Sequence, residues 1–258
     1  MNKTILCESK GVSKHFGGLK AVDDFSCQLD RGAITSIIGP NGAGKTTLFN
    51  CFTGLYPPTA GQIVFNGNDI TGIKAFQITR MGIGRTFQNI RLFGEMTTLE
   101  NVMVGAFPRT KSGLFGSIFH TRSTVREERA CAQNALQLLE FVGLADHKDT
   151  WARNLAYGAQ RRLEIARALA TQPELLLLDE PAAGMNPSET KDLMNLILKI
   201  RDRGVTVLLI EHDMKVVMGI SDRVSVLDHG VKIAEGTCKE VQCDARVIEA
   251  YLGKDNNH

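Results

Sequence analysis

Gly39–Thr47 reads GPNGAGKTT, and this stretch decides the fold. It matches the pattern G-x-x-x-x-G-K-[ST], with Gly39, Gly44, Lys45 and Thr46 at the fixed positions. A β-branched run, AITSIIG, leads into it, and TTLFNCFTGL, which suits a helix, follows. Glycines let the backbone curl so that successive N–H groups point at phosphate oxygens. This order predicts a phosphate-binding loop in an α/β fold, with Lys45 near the terminal phosphates and the Thr46 hydroxyl on Mg²⁺.

Two carboxylates follow a second apolar run. Glu174–Glu180 reads ELLLLDE, in which four leucines predict a buried strand and Asp179 and Glu180 come at its carboxyl end. In a parallel sheet, ligands bind at that end. We expect Asp179 to hold Mg²⁺, through water, and Glu180 to polarise the attacking water. A helix-capping acid after a core strand is the alternative, and it is the weaker one beside a phosphate loop.

A third apolar run, VTVLLI at Val205–Ile210, is followed by Glu211 and His212. A lone histidine after a strand is usually structural. This one is expected at the same sheet edge as Lys45 and Glu180, where an imidazole can donate a hydrogen bond to a γ-phosphate. We therefore favour the functional interpretation of His212.

Composition excludes several classes of protein. The 258 residues are 43% hydrophobic and 22% charged, with a net charge of +2, so the chain can bury a substantial core and has no broad basic surface for nucleic acid. Its longest apolar runs are too short to cross a bilayer, and its first residues lack the apolar run of a signal peptide. Six scattered cysteines without a C-x-x-C pair indicate reduced thiols rather than disulfides or a zinc site.

The motifs, taken in order, resemble the nucleotide-binding subunits of ATP-binding cassette (ABC) transporters over nearly the whole chain. The matching segments are Phe16, the Walker A loop GPNGAGKTT, RTFQNIRLF around Gln88, the signature-like LAYGAQRRLEIARAL, the Walker B strand LLLLDEP and the switch segment IEHD. Apart from Walker A each is weak alone, but their order and spacing are specific. The resemblance implies a P-loop NTPase (RecA-like) core with an antiparallel β subdomain and a helical ABC subdomain. It also implies a Mg-dependent ATPase, with ATP and Mg²⁺ as its ligands.

The resemblance implies roles for residues away from the strand ends. Phe16, 29 residues before Lys45, is implied to stack on adenine, with Val22 packing beside it; a buried core phenylalanine is the competing interpretation. Gln88 is implied to reach Mg²⁺ and the attacking water. A polar residue at a subdomain hinge is the alternative for Gln88, and the two roles are compatible.

The expected site residues fall into three groups. Those expected to act in catalysis are Lys45, Gln88, Glu180 and His212. Those expected to bind the metal are Thr46, Gln88 and Asp179. Those expected to bind nucleotide are Phe16, Val22, Gly39, Pro40, Asn41, Gly42, Ala43, Gly44, Lys45, Thr46 and Thr47 and, on the nucleotide of a partner, Ala156, Tyr157 and Gly158.

The signature segment departs from the usual family wording, LSGGQ. Ala156 stands where a serine hydroxyl donates to the partner's γ-phosphate, Tyr157 replaces the first glycine, and Ala159 replaces the glutamine, whereas Gly158 remains. Losing one hydrogen bond to a charged phosphate removes roughly 1.5–3 kcal/mol, unless backbone donors or Gln160 offset it. Two interpretations stay open with equal weight: unequal ATP sites in a heterodimer, or a variant loop that works normally.

We expect a single ABC ATPase domain with three parts. Segments 1–88 and 171–236 form the ATPase core with its β subdomain, 89–170 the helical subdomain, and 237–258 a C-terminal tail in which only ARVIEAYLG predicts a helix. Segment 90–93 is the candidate docking surface for a helix of a transmembrane partner, with a buried subdomain junction as the alternative. Segment 105–130 is either a membrane-facing or partner-facing insertion or, as its glutamates favour, a solvated loop and helix start.

Three longer segments resemble the subfamily that serves importers of branched-chain and other hydrophobic amino acids: FQNIRLFGEMTTLENVMVGA, EPAAGMNPSET and IEHDMKVVMGISDRVSVLDHGVKIAEGT. The resemblance implies two transmembrane permease subunits, a second ABC ATPase subunit in a heterodimer or homodimer, and a substrate-binding protein reached indirectly. It places the chain peripherally at the cytoplasmic face of the inner membrane. The alternatives are an ABC subunit for another substrate, a soluble ABC ATPase with a non-transport role, a small-molecule kinase, and a cassette that binds ATP without hydrolysing it.

Overall fold

The computed structural model describes residues 4–109 and 122–252. The centre of the expected insertion at 105–130 lies outside these residues. Among the described helices, none combines the length and the apolar character that a membrane span requires.

A six-stranded sheet forms the centre of the molecule. Its strands are, in spatial order, β10 (Val231–Gly236), β9 (Arg223–Asp228), β3 (Ile34–Ile38), β8 (Thr206–Ile210), β7 (Leu175–Asp179) and β6 (Ile83–Arg85). All neighbours run parallel except β9 and β10, which pair antiparallel. Every residue of β3, β7 and β8 is buried, because helices and a second sheet cover both faces. The three apolar runs of the sequence are thus the central strands.

Alternate leucines of β7 point to opposite faces of this sheet, as the pleat requires. Leu176 and Leu178 join the core beneath the helices, whereas Leu175 and Leu177 join the core beneath the second sheet. The carboxyl ends of β3, β7 and β8 lie at one edge, so that the phosphate loop, the Walker B carboxylates and the switch histidine come together there.

The second sheet is antiparallel and four-stranded. Its spatial order is β2 (Leu19–Asp30), β1 (Ile5–Phe16), β4 (Ala60–Phe65) and β5 (Asn68–Asp69). It packs over α1 (Lys45–Phe52) through the buried rings of Phe25, Phe49, Phe52 and Phe65. This is the antiparallel β structure expected from GQIVFNGNDI.

The remaining described helices are α2 (Ala75–Met81), α3 (Thr98–Ala106), α4 (Arg122–Phe141), α5 (Tyr157–Leu169), α6 (Pro187–Asp202), α7 (Met214–Ile220), α8 (Cys238–Gln242) and α9 (Ala245–Leu252). Helices α3, α4 and α5 pack on one another and contribute to one core with α6. A Cβ at Gly105 would lie 2.2 Å from the carbonyl oxygen of Arg167, so only glycine allows α3 and α5 this approach. The division at 88/89 and 170/171 stays a prediction.

Candidate functional site

The phosphate loop is pressed against the strands behind it. A Cβ at Gly39 would lie 1.9 Å from the carbonyl oxygen of Leu227, and one at Gly44 would lie 2.2 Å from that of Ala21. Both distances are far below van der Waals contact, so the first and last glycines of the motif are required by close backbone approach. The loop ends where α1 begins at Lys45, so that the helix N-terminus faces the loop.

Lys45 is buried, with its Nζ inside the loop. The ammonium donates hydrogen bonds to the carbonyl oxygens of Gly39 at 2.7 Å and Pro40 at 2.9 Å. The loop therefore holds a positive charge in place at the point where phosphates are expected.

A cavity of about 590 Å³ opens over the loop. Seven of the eleven residues expected to bind the chain's own nucleotide line it, together with Gln88 and Glu180. The lining residues are Leu19, Lys20, Ala21, Asn41, Gly42, Ala43, Gly44, Lys45, Thr46, Thr47, Gln88, Glu180, His229 and Gly230. His229 and Gly230 come from the turn between β9 and β10, and no motif in the sequence marks them.

All three expected metal-binding residues line a neighbouring cavity of about 400 Å³: Thr46, Gln88 and Asp179. Asp179 is 1% exposed at the end of β7. Its Oδ1 is buried without a hydrogen-bond partner among the described residues, and burial raises the pKa of this carboxyl. A buried, unpartnered carboxylate oxygen beside a hydroxyl and an amide oxygen fits a hard divalent cation such as Mg²⁺.

Arg85 supports that carboxylate. Its Nη2 donates to Asp179 Oδ2 at 3.1 Å, while Nη1 donates to Asn50 Oδ1 at 2.6 Å and to Thr53 Oγ1 at 3.1 Å. Arg85 thus neutralises one side of the carboxylate and leaves the other side open. Its position on β6, three residues before Gln88, is the only hint that the sequence offers.

Two catalytic candidates approach the carboxylate of a third, Glu180. Gln88 Nε2 donates to Glu180 Oε2 at 3.1 Å, and His212 Nδ1 lies 3.7 Å from the same oxygen. The φ of Glu180 is +46°, a strained value for a side chain of this size, and its N–H is bonded to the carbonyl of Ile210 at 2.9 Å. The backbone thus aims Glu180 at the sheet edge, as expected of a residue that orients water.

Glu211 fixes the backbone around this group. It is fully buried; Oε1 accepts a hydrogen bond from the N–H of Ala182 at 2.9 Å, and Oε2 accepts one from the N–H of His212 at 3.2 Å. Burial raises the pKa of its carboxyl, and the two N–H donors act in the opposite direction. Glu211 was not among the expected site residues. Its position between β8 and His212 is the feature of the sequence that could have indicated it.

The two residues expected at the adenine differ in exposure. Phe16 ends β1 and is 43% exposed, with Lys14 Nζ 5.0 Å from its ring centroid. Tyr56 packs edge-on against it at 5.3 Å, an aromatic neighbour that no motif marks. Val22, in contrast, is fully buried in the core beneath the antiparallel sheet, so it presents no surface to a base in this structure.

The signature residues lie apart from the phosphate loop of their own chain. Ala156 and Tyr157 are exposed at the start of α5, and Gly158 packs against Glu189 of α6. None of the three lines the cavity over the phosphate loop. Gln160 Nε2 donates to the carbonyl of Leu155 at 2.9 Å, so this amide is occupied within its own loop.

Helix α5 holds the loop that carries Gln88. Arg161 is 4% exposed; its guanidinium donates to the carbonyl of Phe87 at 2.8 Å, to the carbonyl of Gln88 and to the hydroxyl of Tyr157 at 3.1 Å. One turn further, the buried carboxylate of Glu164 lies 3.4 Å from Arg161 Nη1. A shift of α5 therefore acts directly on the backbone of Gln88.

An apolar groove of about 410 Å³ separates the α5 region from α2. Arg91 and Phe93 of the expected docking segment line it, and Phe93 is 47% exposed. Exposed Leu55 and Val104 also line it. Ile90 and Leu92 of the same segment do not line the groove.

Family models match two parts of the chain. One, described as ABC transporter, matches residues 22–183, and another, described as branched-chain amino acid ATP-binding cassette transporter, matches residues 231–256. Among characterised proteins, the high-affinity branched-chain amino acid transport ATP-binding protein LivG of Salmonella typhimurium is 51% identical over 245 residues, 95% of this chain and 96% of LivG. BraF of Pseudomonas aeruginosa, named for the same transport, is 48% identical over 255 residues, 98% of this chain and 100% of BraF.

Solved structures agree with the fold. A nucleotide-free ATP-binding cassette from an ABC transporter superposes with a TM-score of 0.85 at 35% identity, covering 97% of this chain and 100% of that one. The ADP conformation of an ATP-binding cassette of an ABC transporter superposes with a TM-score of 0.84 at 34% identity, covering 97% of this chain and 99% of that one. The matches confirm the resemblance and the predicted fold class.

Proposed function

This chain belongs to the ATP-binding cassette family of ABC transporters, and from that premise we propose that it is the ATP-hydrolysing subunit of an importer for branched-chain, hydrophobic amino acids. One observation carries the hydrolytic part of the proposal. The orphaned oxygen of Asp179, the ammonium of Lys45 and the Gln88–Glu180 contact lie at one sheet edge, around adjoining cavities. Phosphate, metal and water each have a matching group there.

The residues divide the work by their chemistry. Backbone N–H groups of residues 41–47 and the Lys45 ammonium bind the β- and γ-phosphates. To do so, the Lys45 ammonium leaves the carbonyls of Gly39 and Pro40 that it contacts in this structure. Thr46, Gln88 and Asp179 would hold Mg²⁺, which would screen the negative charge of those phosphates. Glu180 accepts a hydrogen bond from the attacking water and polarises it.

His212 and Phe16 position the two ends of the nucleotide. The backbone N–H of His212 is held by buried Glu211, so the imidazole stays at the edge where it can donate to the γ-phosphate. The exposed ring of Phe16 offers adenine a π-face, with Tyr56 behind it.

We propose that the chain pairs with a second ABC ATPase subunit, in a heterodimer or a homodimer. Ala156, Tyr157 and Gly158 then face the nucleotide of the partner, which accounts for their distance from the phosphate cavity of their own chain. Because Gln160 is engaged with Leu155, the backbone N–H groups at the start of α5 are the remaining donors for that phosphate. Unequal ATP sites and a normally working variant loop both remain open.

Two transmembrane permease subunits are the proposed membrane partners, with a substrate-binding protein acting through them. The apolar groove between α2 and the α5 region suits a short helix of a permease, since exposed Phe93 and Leu55 lie beside the cation of Arg91. Such docking places the chain peripherally on the cytoplasmic face of the inner membrane. Closure of the ATPase pair around ATP then moves the helical lobes and the attached helices together, and hydrolysis releases them.

The test is purification of the tagged chain from detergent-solubilised membranes of its source cell. We expect two membrane subunits and a second cassette, with Mg-dependent ATPase that is lost in the Glu180→Gln variant. Reconstituted vesicles with the ATPase subunits facing the lumen, supplied with the substrate-binding protein outside, should take up labelled leucine, isoleucine or valine only when ATP is enclosed in the lumen. Recovery of the chain with ribosomes, or uptake of a different solute class alone, would remove the transport or the substrate assignment while leaving the ATPase intact.

A further inference from the structure

The C-terminal helix reaches the ATP site. A cavity of about 520 Å³ is lined by the start of the phosphate loop, by three catalytic candidates and by one residue of α9: Gly39, Pro40, Asn41, Gln88, Glu180, His212 and Tyr251. Tyr251 belongs to the segment 231–256 that the second family model matches. No motif of the phosphate-binding chemistry includes it.

Tyr251 is held there by the packing of the tail. Val247, one turn earlier on α9, is 6% exposed and belongs to a core cluster with Ile38, the last residue of the strand that leads into the phosphate loop. The ring of Tyr251 packs against the same cluster. The thiol of Cys238 also donates to the carbonyl of Ser221, which ties the tail to the end of α7. This packing connects the position of Tyr251 to the carboxyl end of β3, where the phosphate loop begins.

The phenol hydroxyl of Tyr251 lacks a partner in the described part of the chain, although the oxygen is buried. Gly39 and Tyr251 line the same cavity; burial raises the pKa of this phenol, and the backbone N–H of Gly39 acts in the opposite direction. The carbonyl oxygen of the same residue, Gly39, accepts a hydrogen bond from Lys45. The first turn of the phosphate loop thus lies between Lys45 and Tyr251.

We propose that Tyr251 is a positioning residue of the ATP site, whose hydroxyl engages the Gly39–Asn41 turn when nucleotide draws Lys45 away. The inference rests on the proposed function. A buried hydroxyl without a hydrogen-bond partner raises the free energy of the nucleotide-free protein. The hydroxyl gains a partner if the Gly39–Asn41 turn moves towards it when nucleotide binds. Tyr251 thereby holds the Gly39–Asn41 turn at a fixed distance from Glu180 and His212, the two residues that act at the γ-phosphate.

The first experiment observes the phenol without turnover. The chain has three tyrosines, so the full chain labelled with 3-fluorotyrosine gives three ¹⁹F resonances, which single Tyr→Phe variants assign. We expect saturating MgADP, or Mg²⁺ with a non-hydrolysable ATP analogue, to shift the Tyr251 resonance, and the Lys45→Ala variant to lose that shift at nucleotide concentrations at which dialysis shows the variant to be occupied. Nucleotide binding is measured in parallel by equilibrium dialysis. A Tyr251 resonance that stays in place while nucleotide binds overturns the inference; absence of binding overturns the proposed function as well.

The second experiment separates positioning from packing. In the complex purified from membranes, Tyr251→Phe keeps the ring and removes only the hydroxyl, so we expect kcat to fall roughly 3- to 10-fold with KM for ATP within about twofold. Ile248→Ala, an exposed change on the same helix, is the control and should leave both constants unchanged. Wild-type kcat and KM in Tyr251→Phe would show that the residue only packs the tail, and would overturn the inference.

Discussion

The side-chain amide of Gln88 donates a 3.1 Å hydrogen bond to Oε2 of Glu180, although 92 positions separate the two residues in the chain. The backbone carbonyl of Gln88 is in turn held by Arg161 of α5. Hydrogen bonds at the backbone and at the side chain of Gln88 therefore connect α5 to the Glu180 carboxylate. Under the proposed pairing, in which the start of α5 faces the nucleotide of a partner, closure of the two subunits would act on Glu180 through Gln88.

Replacing Glu180 should separate binding from hydrolysis. Glu180→Gln keeps the size of the side chain and its contact with Gln88 but removes the base, so we expect ATP hydrolysis to fall roughly 10²- to 10⁴-fold with ATP affinity nearly unchanged. Steady-state ATPase and equilibrium binding in the purified complex measure the two effects. Glu174→Gln, an exposed glutamate at the opposite end of β7, is the matched control. Equal losses in the two variants would contradict the assignment.

Asp179→Asn tests the metal site. The amide can still accept from Arg85 but brings no charge to the cation, so we expect the Mg²⁺ concentration for half-maximal activity to rise roughly 10- to 100-fold. Activity against Mg²⁺ concentration at saturating ATP measures this. Asp202→Asn, at an exposed position, should leave that curve in place. An unchanged Mg²⁺ requirement in Asp179→Asn would show that this carboxylate does not serve the metal.

Arg161→Lys tests the link between α5 and Gln88. Lysine keeps the charge but cannot span the carbonyls of Phe87 and Gln88, so we expect a loss of about 1–3 kcal/mol in the free energy of unfolding. We also expect kcat to fall more than KM for ATP changes, because Gln88 loses its fixed backbone. Urea unfolding and ATPase kinetics are the measurements, with Arg162→Lys as the neighbouring control. A variant with reduced stability but normal kcat would leave Arg161 with a structural role alone.

Glu211 predicts a specific pH dependence of stability. Burial raises the pKa of this carboxyl above its ordinary value of 4.5, so the folded chain binds its proton more readily than the unfolded chain. The protonated Glu211 carboxyl therefore contributes to the free energy of unfolding. This contribution is fully present below pH 4.5 and is lost as the pH rises through the pKa of the folded state. In that window we expect wild type to lose up to about 1.4 kcal/mol per pH unit relative to Glu211→Gln.

Urea unfolding of wild type and Glu211→Gln across that pH range gives the difference directly. The shifts of other buried acids, such as Glu164 and Asp179, are common to both chains and cancel. Glu249→Gln, at an exposed position on α9, is the control: its free energy of unfolding should differ from that of wild type by the same amount at every pH. Parallel curves for Glu211→Gln would mean that this carboxyl does not titrate differently on folding.

The signature loop allows a gain-of-contact test. Ala156→Ser restores a hydroxyl donor for the phosphate of the partner, and in the Glu180→Gln background we expect ATP-dependent pairing to tighten roughly 10-fold or more. Sedimentation of the paired ATPase subunits at graded ATP measures it, with Ala245→Ser on the exposed surface of α9 as control. Unchanged pairing would support the interpretation in which the variant loop works normally.

Sequence by itself determined the contiguous parts of this protein. GPNGAGKTT places backbone donors, a lysine and a hydroxyl within nine residues, and their chemistry follows from spacing alone. The apolar runs before Asp179 and His212 predicted central strands, because only a strand covered on both faces is apolar throughout. Parallel pairing of such strands then requires their carboxyl ends to share an edge.

Only the tertiary structure decided the contacts between distant segments. Tyr251 and Arg161 meet the Gly39 turn and the Gln88 loop across long stretches of chain, and no local pattern encodes those meetings. Packing and hydrogen bonding decided two further cases: Val22 is buried in the core beneath the antiparallel sheet, and the Gln160 amide donates to the carbonyl of Leu155. Periodicity tells which face of a strand or helix is apolar, but the partner of that face depends on how all the elements pack at once.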